Sequence, residues 1–348
     1  MKQIIALFVV FSYFLSSHAQ DLLPKEHKAA ELLTQIRNSK DDAITDSLHI
    51  AFKKAMSDLV RSKGFFDYPL KELKIADIKS ADQTVRVLTW NIEYGDLSYS
   101  YGGFVLRREE GREKVLTQEL NDQLDPYSAK PEGIIDAKAW YGSIYFKIID
   151  FTFQGKTCYL LFGYDAGTTM SNFKILDVLS FNGQATKFGA AVFKEPKQTK
   201  KRVIFEYSNM ATLSLEFEPK RNRIVFDHLS PESPALEGVA SYYFPDMSYD
   251  AYIYDADAEV WQLQSDVVAT NPSDVGENYY YSLNKKTGRV EKNRLKNDWI
   301  NPVDPSNQSN GQHQAALPDQ PSEDFAKQPK KERRKWLKKN RTYNPESY

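Results

Sequence analysis

Cysteine is nearly absent: Cys158 is the single one in 348 residues, so no internal disulfide can form and the fold must be held by packing. Histidine is almost as scarce, with His18, His27, His49, His228 and His313. That argues against a multi-histidine zinc or copper centre and against a Cys/His zinc cluster. A Ser-His-Asp hydrolase would depend on His228, which stands alone in the β-rich stretch, and no G-x-S-x-G elbow supplies its serine. Apolar runs are short as well, none after the first twenty residues approaching the roughly 18 residues of a membrane-spanning helix. The formal net charge of −1 offers no overall steering field.

The chain starts with the pattern of a secretory signal peptide. Lys2 supplies the positive start, residues 4–15 an apolar run too short to span a bilayer of about 30 Å, and Ser17-His18-Ala19 a cleavage site before Gln20. Removal of residues 1–19 would leave a soluble exported protein of the periplasm or the extracellular space. No cysteine follows the cleavage site to carry a lipid, so the mature chain is not expected to be a lipoprotein.

About 330 residues remain, enough for one large domain or two ordinary ones with tails. Aromatics make up 13%, with 21 Tyr and 20 Phe, a bias that favours pleated, half-buried strands over helices. The expected fold is mainly β: a long antiparallel meander, built as a sandwich, a barrel or a partial propeller-like array, preceded by an N-terminal α-hairpin over residues 20–64. In that hairpin Leu32, Leu33 and Ile36 mark the first helix and residues 38–42 a polar break. Asp46 is the expected cap of a second helix, in which Leu48, Phe52, Met56, Leu59 and Val60 recur at three- and four-residue spacing before a Lys63-Gly64 stop.

Residues 65–133 read as a strand pair and loop region. Val85, Val87 and Thr89 alternate with Arg86, Leu88 and Trp90, a second strand covers 101–106, the charged stretch 107–120 is expected to be a short helix, and 121–133 a proline-containing loop. Residues 134–300 form the antiparallel β domain. There Gln154-Gly155, Asn182-Gly183 and residues 219–222 separate the strand runs 144–153 from 157–163, 173–181 from 185–193, and 213–217 from 224–229. Val203, Phe205 and Tyr207 make a core face opposite Arg202, Ile204 and Glu206. Residues 158–162 are apolar on both faces and predict a central strand, with Cys158 as a small buried hydrophobe.

Further runs at 242–244, 249–254 and 260–263 extend the meander, and 279–283 with Arg289-Val290 around Thr287-Gly288 make a last hairpin. No self-similar motif recurs at roughly 40–50 residues, which disfavours a closed propeller. Residues 301–329 lack the apolar content to fold and read as a disordered linker. Residues 330–348 are a basic tail whose Lys330, Lys331, Arg333, Arg334, Lys335, Lys338 and Lys339 suit an anionic envelope surface; nucleic acid is not an expected partner of an exported chain.

The groups able to carry acid–base chemistry are His228 and Asp227 at the end of an apolar strand, with Asp165, Glu206 and Asp250 at neighbouring strand ends. Alternation puts Asp227 and His228 on opposite faces, His228 with Ile224 and Phe226. Asp255, Asp257 and Glu259 alternate as calcium ligands do but lack the central Gly and distal Glu of an EF-hand, and read as a hairpin turn. Neither a metal nor a cofactor is expected. Tyr94, Tyr99, Tyr101, Trp140, Tyr141, Tyr164, Tyr242, Tyr243, Tyr249 and Tyr252 lie near expected turns, where rings can stack on sugars or fill the core.

The strings Val87-Leu88-Thr89-Trp90-Asn91, Leu161-Phe162-Gly163-Tyr164-Asp165, Lys174-Ile175-Leu176-Asp177-Val178-Leu179, Val203-Ile204-Phe205-Glu206-Tyr207, Phe226-Asp227-His228-Leu229 and Tyr249-Asp250-Ala251-Tyr252 resemble a family of exported proteins of Bacteroidota to which no activity is assigned. The resemblance covers residues 85–261. It implies export to a Gram-negative periplasm or beyond and carries over no catalytic residue. The expected role is a non-enzymatic binding or scaffolding module of the cell envelope, its partner a glycan, a peptide or an envelope protein; the alternative is an envelope hydrolase of glycan or peptide using His228 and the nearby carboxylates.

Overall fold

Helix formation at the N-terminus follows the apolar spacing. In the computed structural model, which describes residues 21–109, 114–122, 130–267, 279–283 and 290–294, helix α1 occupies 21–38 and helix α2 Asp42–Val60. The cap of α2 is Asp41 rather than Asp46: its carboxylate accepts from the Ala43 N–H at 2.9 Å and the Ile44 N–H at 3.1 Å, quenching donors that the first turn leaves without partners. Asp46 lies a turn inside the helix and accepts from the Tyr94 hydroxyl at 2.9 Å. The signal peptide, the linker and the basic tail expected from the sequence lie outside the described residues.

Three sheets follow. The first has the order β1 (Ala76–Lys79), β2 (Val85–Glu93), β3 (Tyr99–Arg108), β4 (Val115–Asn121). The second runs β5 (Ile135–Asp136), β9 (Ala185–Phe188), β8 (Ser171–Asn182), β7 (Lys156–Asp165), β6 (Ile144–Phe153), with β12 (Val203–Ser208) on the free half of the β8 edge. The third runs β11 (Thr199–Lys200), β10 (Phe193–Lys194), β16 (Val260–Gln264), β15 (Tyr243–Asp255), β14 (Arg223–Pro231), β13 (Leu215–Glu218). The fold is therefore mainly β, and the sheets are not closed into a barrel.

Layering comes from alternation. Leu88, Trp90, Ile92, Phe104 and Leu106 of the first sheet pack against Phe52, Met56 and Leu59 of α2, while Val85, Val87, Tyr101 and Val105 face Tyr145, Leu161, Ile175 and Phe188 of the second. Strand β7 is buried on both sides, as its sequence predicts. Tyr159 and Leu161 join the core shared with the first sheet; Cys158, Leu160 and Phe162 join the core shared with Ile224, Phe226, Tyr252 and Trp261 of the third. Burial also pushes the Cys158 thiol up. Each fully buried Leu or Phe here is worth about 1.5–3 kcal/mol.

Two expected elements differ. The stretch 107–120 is not a helix where it is described: Arg107 and Arg108 end β3, and Val115–Asn121 pairs along it as an edge strand. The run 185–193 is not one strand either, because Gly189 at φ +97° breaks it. The chain then crosses to the third sheet, where Phe193 lies parallel to Trp261, an exception to the antiparallel pattern. The Gln154-Gly155 turn forms as expected, with φ +52° and +67°, the left-handed pair that a two-residue hairpin requires.

Three buried ionic clamps hold the layers. Glu26, fully buried on α1, accepts at Oε1 from the N–H groups of Lys71, Glu72 and Leu73 at 2.6, 2.7 and 3.0 Å and at Oε2 from the Tyr68 hydroxyl at 2.7 Å. Arg86 grips the other side of that segment, its Nη1 donating to the carbonyls of Phe65, Phe66 and Tyr68 while Nε and Nη2 take Asp77 at 2.8 and 2.6 Å. In the second sheet Arg202 Nε sits 3.0 Å from Asp177 Oδ2, both side chains fully buried.

The chain falls into two compact units, residues 1–269 and 270–348. Within the second, β17 (Tyr279–Leu283) and β18 (Val290–Arg294) pair antiparallel, the last hairpin that the sequence predicts.

Candidate functional site

His228 sits where β14 and β15 lose register. Between the pairs Asp227–Tyr249 and Leu229–Pro245, β14 advances two residues and β15 four, so Asp246, Met247 and Ser248 bulge outward and Met247 adopts φ +69°. The irregularity frees the imidazole: its side chain is 45% exposed, although Ile224 and Phe226 on the same strand are buried. Its Nδ1–H donates to Asp250 Oδ2 at 2.8 Å, and Nε2 lies 4.0 Å from Asp246 Oδ2. Asp250 is buried and accepts at its other oxygen from the Asp266 N–H at 3.1 Å.

The electrostatics follow from these partners. The hydrogen bond to Asp250, with the charges of Asp250 and Asp246 behind it, raises the His228 pKa against the effect of burial. Hydroxyl donation from Ser230 and Ser248 holds Asp246 down at about 2. Both serines give their protons to Asp246, each at 2.6 Å, and neither is presented to the imidazole as a nucleophile would be. The cluster is a half-exposed, carboxylate-oriented imidazole with a second carboxylate 4.0 Å from its other nitrogen. It can hold or donate a proton or bind a polar ligand.

The other sequence candidates are employed elsewhere. Asp227 accepts from the Ser214 N–H at 2.6 Å, tying β13 to β14, and burial raises its pKa. Asp165 is buried, accepts from the Tyr101 hydroxyl and the Gly167 N–H, each at 2.7 Å, and pairs with Lys130. Glu206 on β12 accepts from the Ser171 hydroxyl at 2.7 Å. The structure thus joins His228 to Asp250 and Asp246 and leaves Asp165 and Glu206 on a different sheet with their own partners. Asp255 accepts from the N–H groups of Asp257 and Ala258, each at 3.0 Å, an ordinary turn. Of the aromatics, Tyr101, Trp140, Tyr141 and Tyr252 are buried and serve the core, whereas Tyr242 is exposed.

A second cluster is not singled out as a site by the sequence, which places only Tyr164 among its turn aromatics and Phe205 on a core face. Tyr164, Lys174 and Phe205 are cross-strand neighbours on β7, β8 and β12, and Phe146, the extra residue of a bulge between Tyr145 and Lys147 on edge strand β6, completes the row. The Lys174 ammonium rests 4.6 Å from the Phe146 ring centre and 5.5 Å from that of Tyr164. Burial lowers the Lys174 pKa, and no acidic group contributes to counter it. Lys147 lies alongside, 5.9 Å from the Phe162 ring centre. At one end Phe205 is covered by Phe226 of the third sheet at 4.7 Å; at the other Phe146 is 39% exposed. The legible signal was a lysine inside the apolar run Phe173-Lys174-Ile175-Leu176.

A cavity of about 540 Å³ bounded by Thr34, Asn38, Asp41, Ile44 and Leu48 lies at the turn between α1 and α2, and none of these candidate residues lines it. Among the described residues no helix is long and apolar enough to cross a membrane, and no group of three or more His, Cys, Asp or Glu side chains is placed to hold a metal ion. Compared with family models, curated proteins and solved structures, the chain matches none.

Proposed function

We propose that the protein is an exported binding or scaffolding module of the cell envelope. The observation that carries this reading is the Phe146–Tyr164–Lys174 row, an aromatic surface with an ammonium that has no acidic partner among the described residues, left partly uncovered at the margin of the second sheet. Flat rings beside a polar group are the usual elements of a ligand-recognition surface. Export is supported by the pattern of residues 1–19 and by the resemblance to exported proteins of Bacteroidota. The test is co-sedimentation of the mature chain with isolated Gram-negative envelopes. Saturable binding that falls at least about tenfold, or about 1.4 kcal/mol, in Phe146→Ala/Lys174→Met is expected; equal sedimentation of the two proteins, or none by either, overturns the reading.

A second reading, envelope hydrolysis, is favoured by one observation: the His228 ring is 45% exposed and oriented by Asp250 through Nδ1, with Nε2 4.0 Å from Asp246 and not hydrogen-bonded to it, the posture of a general acid or base. It predicts release of soluble glycan or peptide from envelopes by the wild type and none by His228→Gln. Equal release by both proteins removes it.

A further inference from the structure

We infer that the Phe146–Tyr164–Lys174 row is a subsite for the carboxylate-bearing sugars of an acidic glycan, an inference that rests on the binding-module reading and names its ligand. Two lysines, Lys174 and Lys147, rest on aromatic rings and make no ion pair among the described residues. An ammonium on a ring face is held less strongly than one in a charge-assisted hydrogen bond to a carboxylate. Lys174 is therefore parked, with a stronger partner wanting, and its half-buried setting makes an arriving anion worth more than it would be in bulk water.

The surroundings select the anion. The Lys174 ammonium reaches to 4.6 Å from the centre of the exposed Phe146 ring, a separation comparable with one sugar ring, so a pyranose laid against Phe146 by its C–H face would bring its carboxylate within reach of Lys174. A peptide strand added to edge strand β6 is disfavoured because the bulge at Phe146 interrupts the backbone ladder there. A lipid headgroup suits protruding lysines, whereas Lys174 is drawn down onto the sheet face between two rings.

The test is calorimetric titration of the mature chain with polygalacturonate, its fully methyl-esterified form, polyglutamate and phosphatidylglycerol vesicles. Polygalacturonate is expected to bind with an affinity that falls with added salt, and the methyl ester, lacking the charge, to bind at least about tenfold more weakly. Lys174→Met keeps the apolar stem against both rings and should retain the melting temperature while losing about tenfold or more in affinity; Lys174→Arg should restore most of it. Equal affinity in Lys174→Met, or polyglutamate or vesicles binding as tightly as polygalacturonate, overturns the inference. Absence of polygalacturonate binding overturns it too; if envelope co-sedimentation still depends on Phe146 and Lys174, the binding module stands with another ligand, and if that is also lost both readings fail together.

Discussion

Replacing Glu26 tests how a single carboxylate fastens the first helix to the segment that leads into the first sheet. Its two oxygens take four donors, the N–H groups of Lys71, Glu72 and Leu73 and the hydroxyl of Tyr68, with the residue fully buried. Glu26→Ala strands all four. Each of the two buried donors, on Tyr68 and Leu73, costs about 1–3 kcal/mol when unsatisfied, and with less from the half-buried amides of Lys71 and Glu72, which water can reach, the sum is about 3–5 kcal/mol. Glu26→Gln keeps an oxygen for the three amides and turns its amide nitrogen to the Tyr68 hydroxyl oxygen, which can accept, so it loses charge assistance alone, about 1–2 kcal/mol. Tyr68→Phe removes one donor of four and should cost about 1 kcal/mol.

Urea unfolding at neutral pH measures all three, and the order Ala, Gln, Phe from most to least destabilised is the signature. The hydrogen bonds also hold the Glu26 carboxyl below its ordinary value against the opposing effect of burial. Its contribution is therefore complete above the unfolded pKa near 4.5 and is lost as pH falls through the folded value; the gap between wild type and Glu26→Gln should close in acid. A Glu26→Ala cost under about 1 kcal/mol would refute the reasoning, since it would mean the amides of residues 71–73 find water as readily without the carboxylate.

Three further outcomes follow from the same structure. His49, buried and accepting from the Trp90 indole N–H at 3.4 Å, is lowered to about 4, chiefly by burial. The unfolded chain thus takes up a proton near pH 6.5 that the fold refuses, and stability should decline by up to about 3 kcal/mol between pH 6.5 and 4, a decline flattened in His49→Gln when urea midpoints are compared across pH. Gly102→Ala would put a Cβ 2.5 Å from the Trp90 ring, which is wedged between Phe52 and Phe104; a loss of about 1–3 kcal/mol in thermal or urea unfolding is expected. Arg202→Met should cost about 3–5 kcal/mol by leaving Asp177 charged and buried, whereas Asp177→Leu/Arg202→Met should recover much of it, and calorimetric melting of both distinguishes a strained pair from a needed one.

What the sequence disclosed tracks what is local. Strand β7 announced itself because both of its faces are apolar, and the Gln154-Gly155 turn because its dihedrals call for those residue types. Residues 107–120 misled because the charges at Arg107, Arg108 and Glu109 and beyond hid an edge strand that is partly buried along nearly its whole length and so carries no clear two-residue alternation. Residues 185–193 misled because Gly189 is one small residue in an apolar run, and the crossing it permits is visible from the partners in the third sheet. The site was half legible. His228 and Asp250 are 22 positions apart, and their meeting depends on a bulge in β15 that no local pattern signals. Lys174 looked like one lysine among many until its cross-strand neighbours proved to be rings and nothing acidic.

The place of β10 beside β16 sets a schedule for the growing chain. A polypeptide made from its N-terminus lays down β10 and β11 early, yet the backbone of Phe193 waits for Trp261 before that side is paired, and β15 likewise waits for β16 on one flank. A single late strand therefore seals two bare edges at once. Any product ending before Val260 would carry both edges open, and open edges recruit other chains. Premature termination before Val260 should thus leave two strands of the third sheet unpaired along one side each and make the shortened product more prone to aggregate than the full chain.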